Sequence, residues 1–160
     1  MELERLPQVL CGNFLKITHS LHSKVKGVHM EVFILFCMVF MHVLSDYNMQ
    51  GILAQMKQKA WWIKNCPSPE DNPEMYANDY KIALAMHAFA WSFAVMIPLA
   101  AHLLVTGTGI TGVFFFMLVM NTMIHYVIDD MKANWGTINL RTDQTAHMLQ
   151  IASTWMICLY

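Results

Sequence analysis

Residues 82–128 read IALAMHAFAWSFAVMIPLAAHLLVTGTGITGVFFFMLVMNTMIHYVI, a run of 47 positions without a single Asp, Glu, Lys or Arg. A helix needs about 20 mostly apolar residues to cross the hydrocarbon of a bilayer, so this stretch predicts two crossings. Gly107, Gly109 and Gly112 supply the turn between them. The rest of the 160-residue chain is built alike: 56% of residues are hydrophobic, 13% are charged and mean hydropathy is +0.39. So few polar groups would not cover a water-soluble globule of this size.

Outward from that run, one further span is predicted from Val28 to Gln50, its apolar core between Glu31 and Asp46. Lys57, Lys59, Trp61, Trp62 and Lys64 follow, a basic and aromatic cluster of the kind that sits at headgroup level. The run Cys66-Pro-Ser-Pro-Glu-Asp-Asn-Pro holds three prolines and cannot continue a helix. The second span runs from Asp79 to Val105, with Pro98 as a kink, and the third from Val113 to Asp130. The fourth runs from Thr142 to the end of the chain, where residues 144–160 carry no formal charge. Leu6, Val9, Leu10, Phe14, Ile17, Leu21 and Val25 lie at helical spacing opposite Lys16, Lys24 and Lys26, as in a helix lying in the interface. The expectation is an all-α integral membrane protein: residues 1–27 form an N-terminal amphipathic interfacial segment, and 28–160 a bundle of about four transmembrane helices in up-down order.

The net charge of −1 and the lack of a basic stripe exclude nucleic acid as a partner, since neutralising phosphates takes clustered Lys and Arg. Cys11, Cys37, Cys66 and Cys158 form no C-x-x-C pair and read as small hydrophobes. Glu2 and Glu4 ahead of Arg5, with no apolar core and cleavage site behind them, predict no cleaved signal peptide.

His42, Asp46 and Gln50 stand four residues apart, as do His125 and Asp129, and Asp143 and His147. That step puts side chains on one helix face. Antiparallel neighbours bring the helix ends carrying these pairs to one side of the membrane, and His87 enters from the second span about two turns past Asp79. A carboxylate buried in low dielectric costs several kcal/mol unless it is paired or coordinated. Imidazole nitrogen with carboxylate oxygen is a ligand set for zinc, with manganese or iron as alternatives. The expected ligands of a divalent metal are thus His42, Asp46, His87, His125, Asp129, Asp143 and His147, with Asp130 and Asp143 as candidate catalytic bases. These are more groups than the four that close a structural site, which leaves two metals or one metal with a base. A metal-free polar network between helices and a proton or ion pathway are the alternatives.

Other features carry less. Gly107-Thr-Gly-Ile-Thr-Gly112 matches G-x-G-x-x-G but lies between two membrane-length apolar segments, which is the wrong context for a dinucleotide. His102 lies toward the opposite side of the membrane, and His19, His22 and His29 precede the first span; all four read as interfacial or solvated. The fifteen methionines read as packing and lipid-facing filler, not as a copper track.

The ordered motifs His42-Val-Leu-Ser-Asp46, with Gln50, then His87, then His125-Tyr-Val-Ile-Asp129 and Asp143-Gln-Thr-Ala-His147, resemble the domain of unknown function 3307 family over about residues 32–151. The family comprises small membrane proteins of bacteria and their phages, and the chain is distantly similar to membrane-bound metal-dependent hydrolases. The resemblance implies the bacterial inner membrane. Arg5, Lys16, Lys24 and Lys26 fall on one side, against Lys57, Lys59, Lys64, Lys81, Lys132 and Arg141 on the other, which faces the site to the cytoplasm. The function expected is metal-dependent hydrolysis of a lipid or lipid-linked ester or phosphoester, with membrane lipids as partners and homo-oligomerisation left open. The alternatives are a non-enzymatic membrane interaction protein, such as a phage-encoded modifier of the host membrane, and a small transporter.

Overall fold

The computed structural model describes residues 29–72 and 74–160, and every regular element among them is a helix. The interfacial helix expected over residues 6–26 lies outside the described residues. Helix α1 covers His29–Asn48. Its last turn, Leu44–Asn48, is π-helical and is closed by Met49 N–H donating to Leu44 O at 2.9 Å. An extra residue in a turn re-aims the side chains around it, and such turns recur at functional sites; this one carries Asp46. Gly51, at φ +53°, then reverses the chain in a conformation that a side chain would strain.

Two short helices follow, α2 (Leu53–Met56) and α3 (Lys59–Asn65). Beyond the Pro-rich loop, α4 (Asp79–Val105) coincides with the expected second span and contains Pro98. Gly107 and Gly109, at φ +77° and +75°, make the turn into α5 (Gly112–Ala133), whose first turn is capped by Thr111 Oγ1 accepting from Phe114 N–H. Asn139 Oδ1 accepts from Thr142 N–H at 3.0 Å and starts α6 (Leu140–Leu159). From Leu35 onward the chain is one compact unit, with α4 packed along α5, α5 along α6, and α2, α3 and the end of α1 against α4.

Among the described residues three helices, α1, α4 and α5, are long and apolar enough to cross a membrane. The 20-residue α6 is not one of them; its first half carries Arg141, Asp143, Gln144 and His147, and Gln150 follows. The burial pattern is inverted relative to a protein in water. On α4 the buried stripe Ala83, Leu84, His87, Ala88, Trp91, Ser92, Val95 follows the three-four spacing of a helix face, while Ile82, Met86, Phe89, Phe93 and Ile97 point outward. On α5 the inner positions are Met117, Asn121, His125 and Asp129, and the outer ones Phe115, Phe116, Val119, Met123 and Val127. The buried polar groups share the inner faces with apolar ones, and the outer faces carry large apolar side chains, as on helices that meet lipid.

Between α5 and α6 the inner polar groups answer one another. Asn121 Nδ2 donates to Thr154 Oγ1 at 2.9 Å, and Gln150 Nε2 donates to Asn121 O at 2.7 Å and to its Oδ1 at 3.0 Å. Replacing Asn121 by Ala removes its side-chain bonds to both partners and leaves Gln150 only the carbonyl of residue 121 and Thr154 only Gln150 O. The variant is expected to lose about 1–3 kcal/mol, read as an earlier unfolding midpoint in a denaturing-detergent titration.

Candidate metal centre

Two turns into α4, His87 points into the bundle at the level of the π-helical turn of α1 and the C-terminal half of α5. Four ligand atoms converge there: those of Asp46, His87, His125 and Asp129 all lie within 4.8 Å of one another. His87 Nε2 lies 3.2 Å from His125 Nε2, 3.2 Å from Asp129 Oδ2 and 3.5 Å from Asp46 Oδ1, and His125 Nε2 lies 3.7 Å from Asp129 Oδ2. Four donors bonded to zinc at about 2.0–2.1 Å stand about 3.3–3.4 Å apart at the corners of a tetrahedron. The observed spacings bracket that edge, and two of them are too long for a good N–H···O bond. The donor set therefore fits a divalent ion: this buried cluster of Asp and His could hold a metal.

A second group lies on the other side of Asp46. Asp143 and His147 are fully buried, and Asp143 Oδ1 and His147 Nε2 have no hydrogen-bond partner. These two atoms are 3.4 Å apart, and His147 Nε2 is 3.6 Å from Asp129 Oδ1. Three carboxylate oxygens carry a close donor as well, and two of them, Asp129 Oδ2 and Asp46 Oδ1, are the ones that face His87. Lys57 Nζ donates to Asp129 Oδ2 and Lys132 Nζ to Asp143 Oδ2, each at 2.6 Å. Gln50 Nε2 donates to Asp46 Oδ1 at 2.6 Å.

His42 departs from the ligand role expected of it. Its ring is fully buried beside the cluster, but Trp91 Nε1–H donates to His42 Nδ1 at 2.8 Å. The hydrogen of His42 therefore sits on Nε2, which donates to Gln144 Oε1 at 3.0 Å. Gln144 Nε2 in turn donates to Asp46 Oδ2 at 3.1 Å and Asp143 Oδ2 at 2.9 Å. His42 thus aims an amide that clamps two carboxylates. Asp130 also departs from the candidate-base role. It is next to Asp129 on α5 and so about 100° around the helix; its Oδ1 accepts from Asn134 Nδ2 at 2.7 Å. Asn134 also binds Lys57 O and Lys59 N–H, so Asp130 anchors the junction of α2 and α3.

Trp91, Gln144 and Lys57 are the residues that sequence reasoning missed. Trp91 stacks flat on His125, with ring centroids 4.0 Å apart and planes at 13°. Its signal was the four-residue step from His87. Lys57, expected at headgroup level, instead neutralises Asp129 from the α2–α3 junction. No family model, characterised protein or solved structure matches the chain.

His87→Ala and Asp129→Asn are each expected to remove most of the metal from the purified protein, as measured by elemental analysis. His42→Ala, which removes an orienting contact, should weaken binding about 10–100-fold without abolishing it. His102 lies fifteen residues beyond His87 on α4, about 22 Å along the helix, so His102→Ala should change nothing.

Proposed function

We propose that the chain is a membrane-embedded metal-dependent hydrolase acting on a lipid or lipid-linked ester or phosphoester. The observation that carries this reading is a further buried acid-base pair, Asp143 Oδ1 and His147 Nε2, 3.4 Å apart beside a four-donor group. A structural ion needs only its four ligands, whereas a hydrolytic centre keeps an acid-base group next to them. The ligand set of two imidazoles and two carboxylates favours zinc. A divalent ion held by Asp46, His87, His125 and Asp129 would supply Lewis-acid chemistry and would lower the pKa of water toward about 7. The chain's own part is to take a proton from the attacking water at Asp143 Oδ1 while Lys132 and Gln144 fix the other oxygen. The water oxygen bonds to the acyl carbon or phosphorus, the ester bond breaks, and the departing oxygen takes a proton back.

Two cavities support an amphiphilic substrate. One of about 270 Å³ is lined by Leu53 and Met56 of α2, Trp62 of α3, and Asp79, Ile82 and Met86 of α4; its mostly apolar wall suits an acyl chain. The other, about 470 Å³, shares Trp62 and adds Lys59, Ser68, Glu70 and Tyr76, a lining suited to a polar headgroup. In this reading α6 makes a fourth, polar-lined crossing, the helices run up and down, and the centre faces the cytoplasm of a bacterial cell.

The test compares host lipid extracts incubated with the wild type and with Asp143→Asn, read by mass spectrometry. Loss of one ester or phosphoester class with the wild type alone, while both proteins keep their metal, is the expected result. Identical lipid profiles with metal bound in both would make the centre structural and the protein a non-enzymatic membrane partner.

A further inference from the structure

Building on that metal centre, we infer that it holds one ion, not two, and that His147 is a positioning residue that orients His125. Donor count alone would permit two ions. The ligand atoms of Asp46, Asp143 and His147 form a second group within 4.8 Å that shares Asp46 with the first.

Hydrogen placement excludes filling both. His125 Nδ1 and His147 Nδ1 face each other at 3.2 Å. A neutral imidazole has one N–H and one lone pair, and only the lone pair can bind a metal. For His125 to offer Nε2 to the first group, its hydrogen must be on Nδ1, aimed at His147 Nδ1. That atom then accepts, which leaves the hydrogen of His147 on Nε2 and removes His147 as a ligand. The reverse assignment removes His125 instead, and both rings acting as ligands would point N–H at N–H.

Three observations choose the first group. It has four donors against three. His147 Nε2 points at Asp143 Oδ1 and Asp129 Oδ1, which are acceptors suited to an N–H. Trp91, stacked on His125, fixes the plane in which Nε2 faces His87 Nε2. Metal-binding histidines regularly donate their other N–H to a neighbour that sets the ring's orientation; here that neighbour is His147.

The charge count agrees. Asp46, Asp129 and Asp143 against Lys57 and Lys132 leave one negative charge around neutral imidazoles. One divalent ion turns this to one positive charge, which a single bound anion cancels. Two ions would leave three positive charges buried among apolar helices, where each uncompensated charge costs several kcal/mol.

The experiment titrates Zn²⁺ into the full chain in detergent, removes unbound metal and counts zinc per chain. The wild type is expected to saturate at one. His147→Ala should still take one, about 10–100-fold more weakly, and His147→Asn, whose Oδ1 stands where Nδ1 stood and accepts the same hydrogen bond, should recover most of the affinity. Two zinc ions in the wild type, falling to one in His147→Ala, would overturn the single-ion centre. Unchanged affinity in His147→Ala would overturn the positioning role. A wild type that binds no zinc would remove the metal centre itself.

Discussion

Asp129 places a carboxylate where almost none of it meets solvent, inside a bundle whose outer face is Phe, Ile, Val and Met. An isolated charge in such surroundings costs several kcal/mol, so its neighbours decide whether the fold can exist. Lys57, His87 and His125 face one oxygen, and His147 faces the other. They come from the α2–α3 junction, α4, α5 and α6. Compensating one carboxylate therefore gathers four parts of the chain. Asp46 and Asp143 extend the same demand to the end of α1 and the start of α6, where Gln144 ties them together.

The rest of the architecture serves that polar interior. Apolar residues pack the far ends of the helices, as with Val95, Met96 and Leu99 on α4 and Phe114 on α5. The Asn121, Gln150 and Thr154 network then joins α5 to α6 midway between the apolar end and the centre. Packing alone would leave helices in lipid free to slide, because tails solvate apolar faces as well as other helices do. Directional hydrogen bonds fix the register that lets His125 and His147 meet nitrogen to nitrogen.

Much of this was legible in the sequence. The charge-free run over 82–128 marks α4 and α5, and the four-residue steps Asp143 to His147 and His125 to Asp129 put their pairs on the inward faces. What was hidden depends on contacts between helices. The pair His42 and Asp46 looks like two ligands in one dimension, but Trp91 and Gln144 occupy both nitrogens of His42. Asp130 and Asp129 are adjacent in sequence and serve different neighbours, one Asn134 and the other the centre. Lys57 reads as a headgroup anchor until Gly51 folds α2 back against α4. The polarity of α6 has a similar cause: its Asp, Gln and His residues face partners inside the bundle, so hydropathy understates how readily it can sit among apolar helices.

The central claim is that the buried imidazoles and carboxylates form one metal shell. X-ray absorption at the zinc edge of the zinc-loaded protein reads that shell directly. A shell of two imidazoles and two carboxylates gives nitrogen and oxygen neighbours only, at about 2.0–2.1 Å, with the outer-shell scattering of two imidazole rings. Sulfur neighbours at about 2.3 Å, or a spectrum without imidazole scattering, would contradict it.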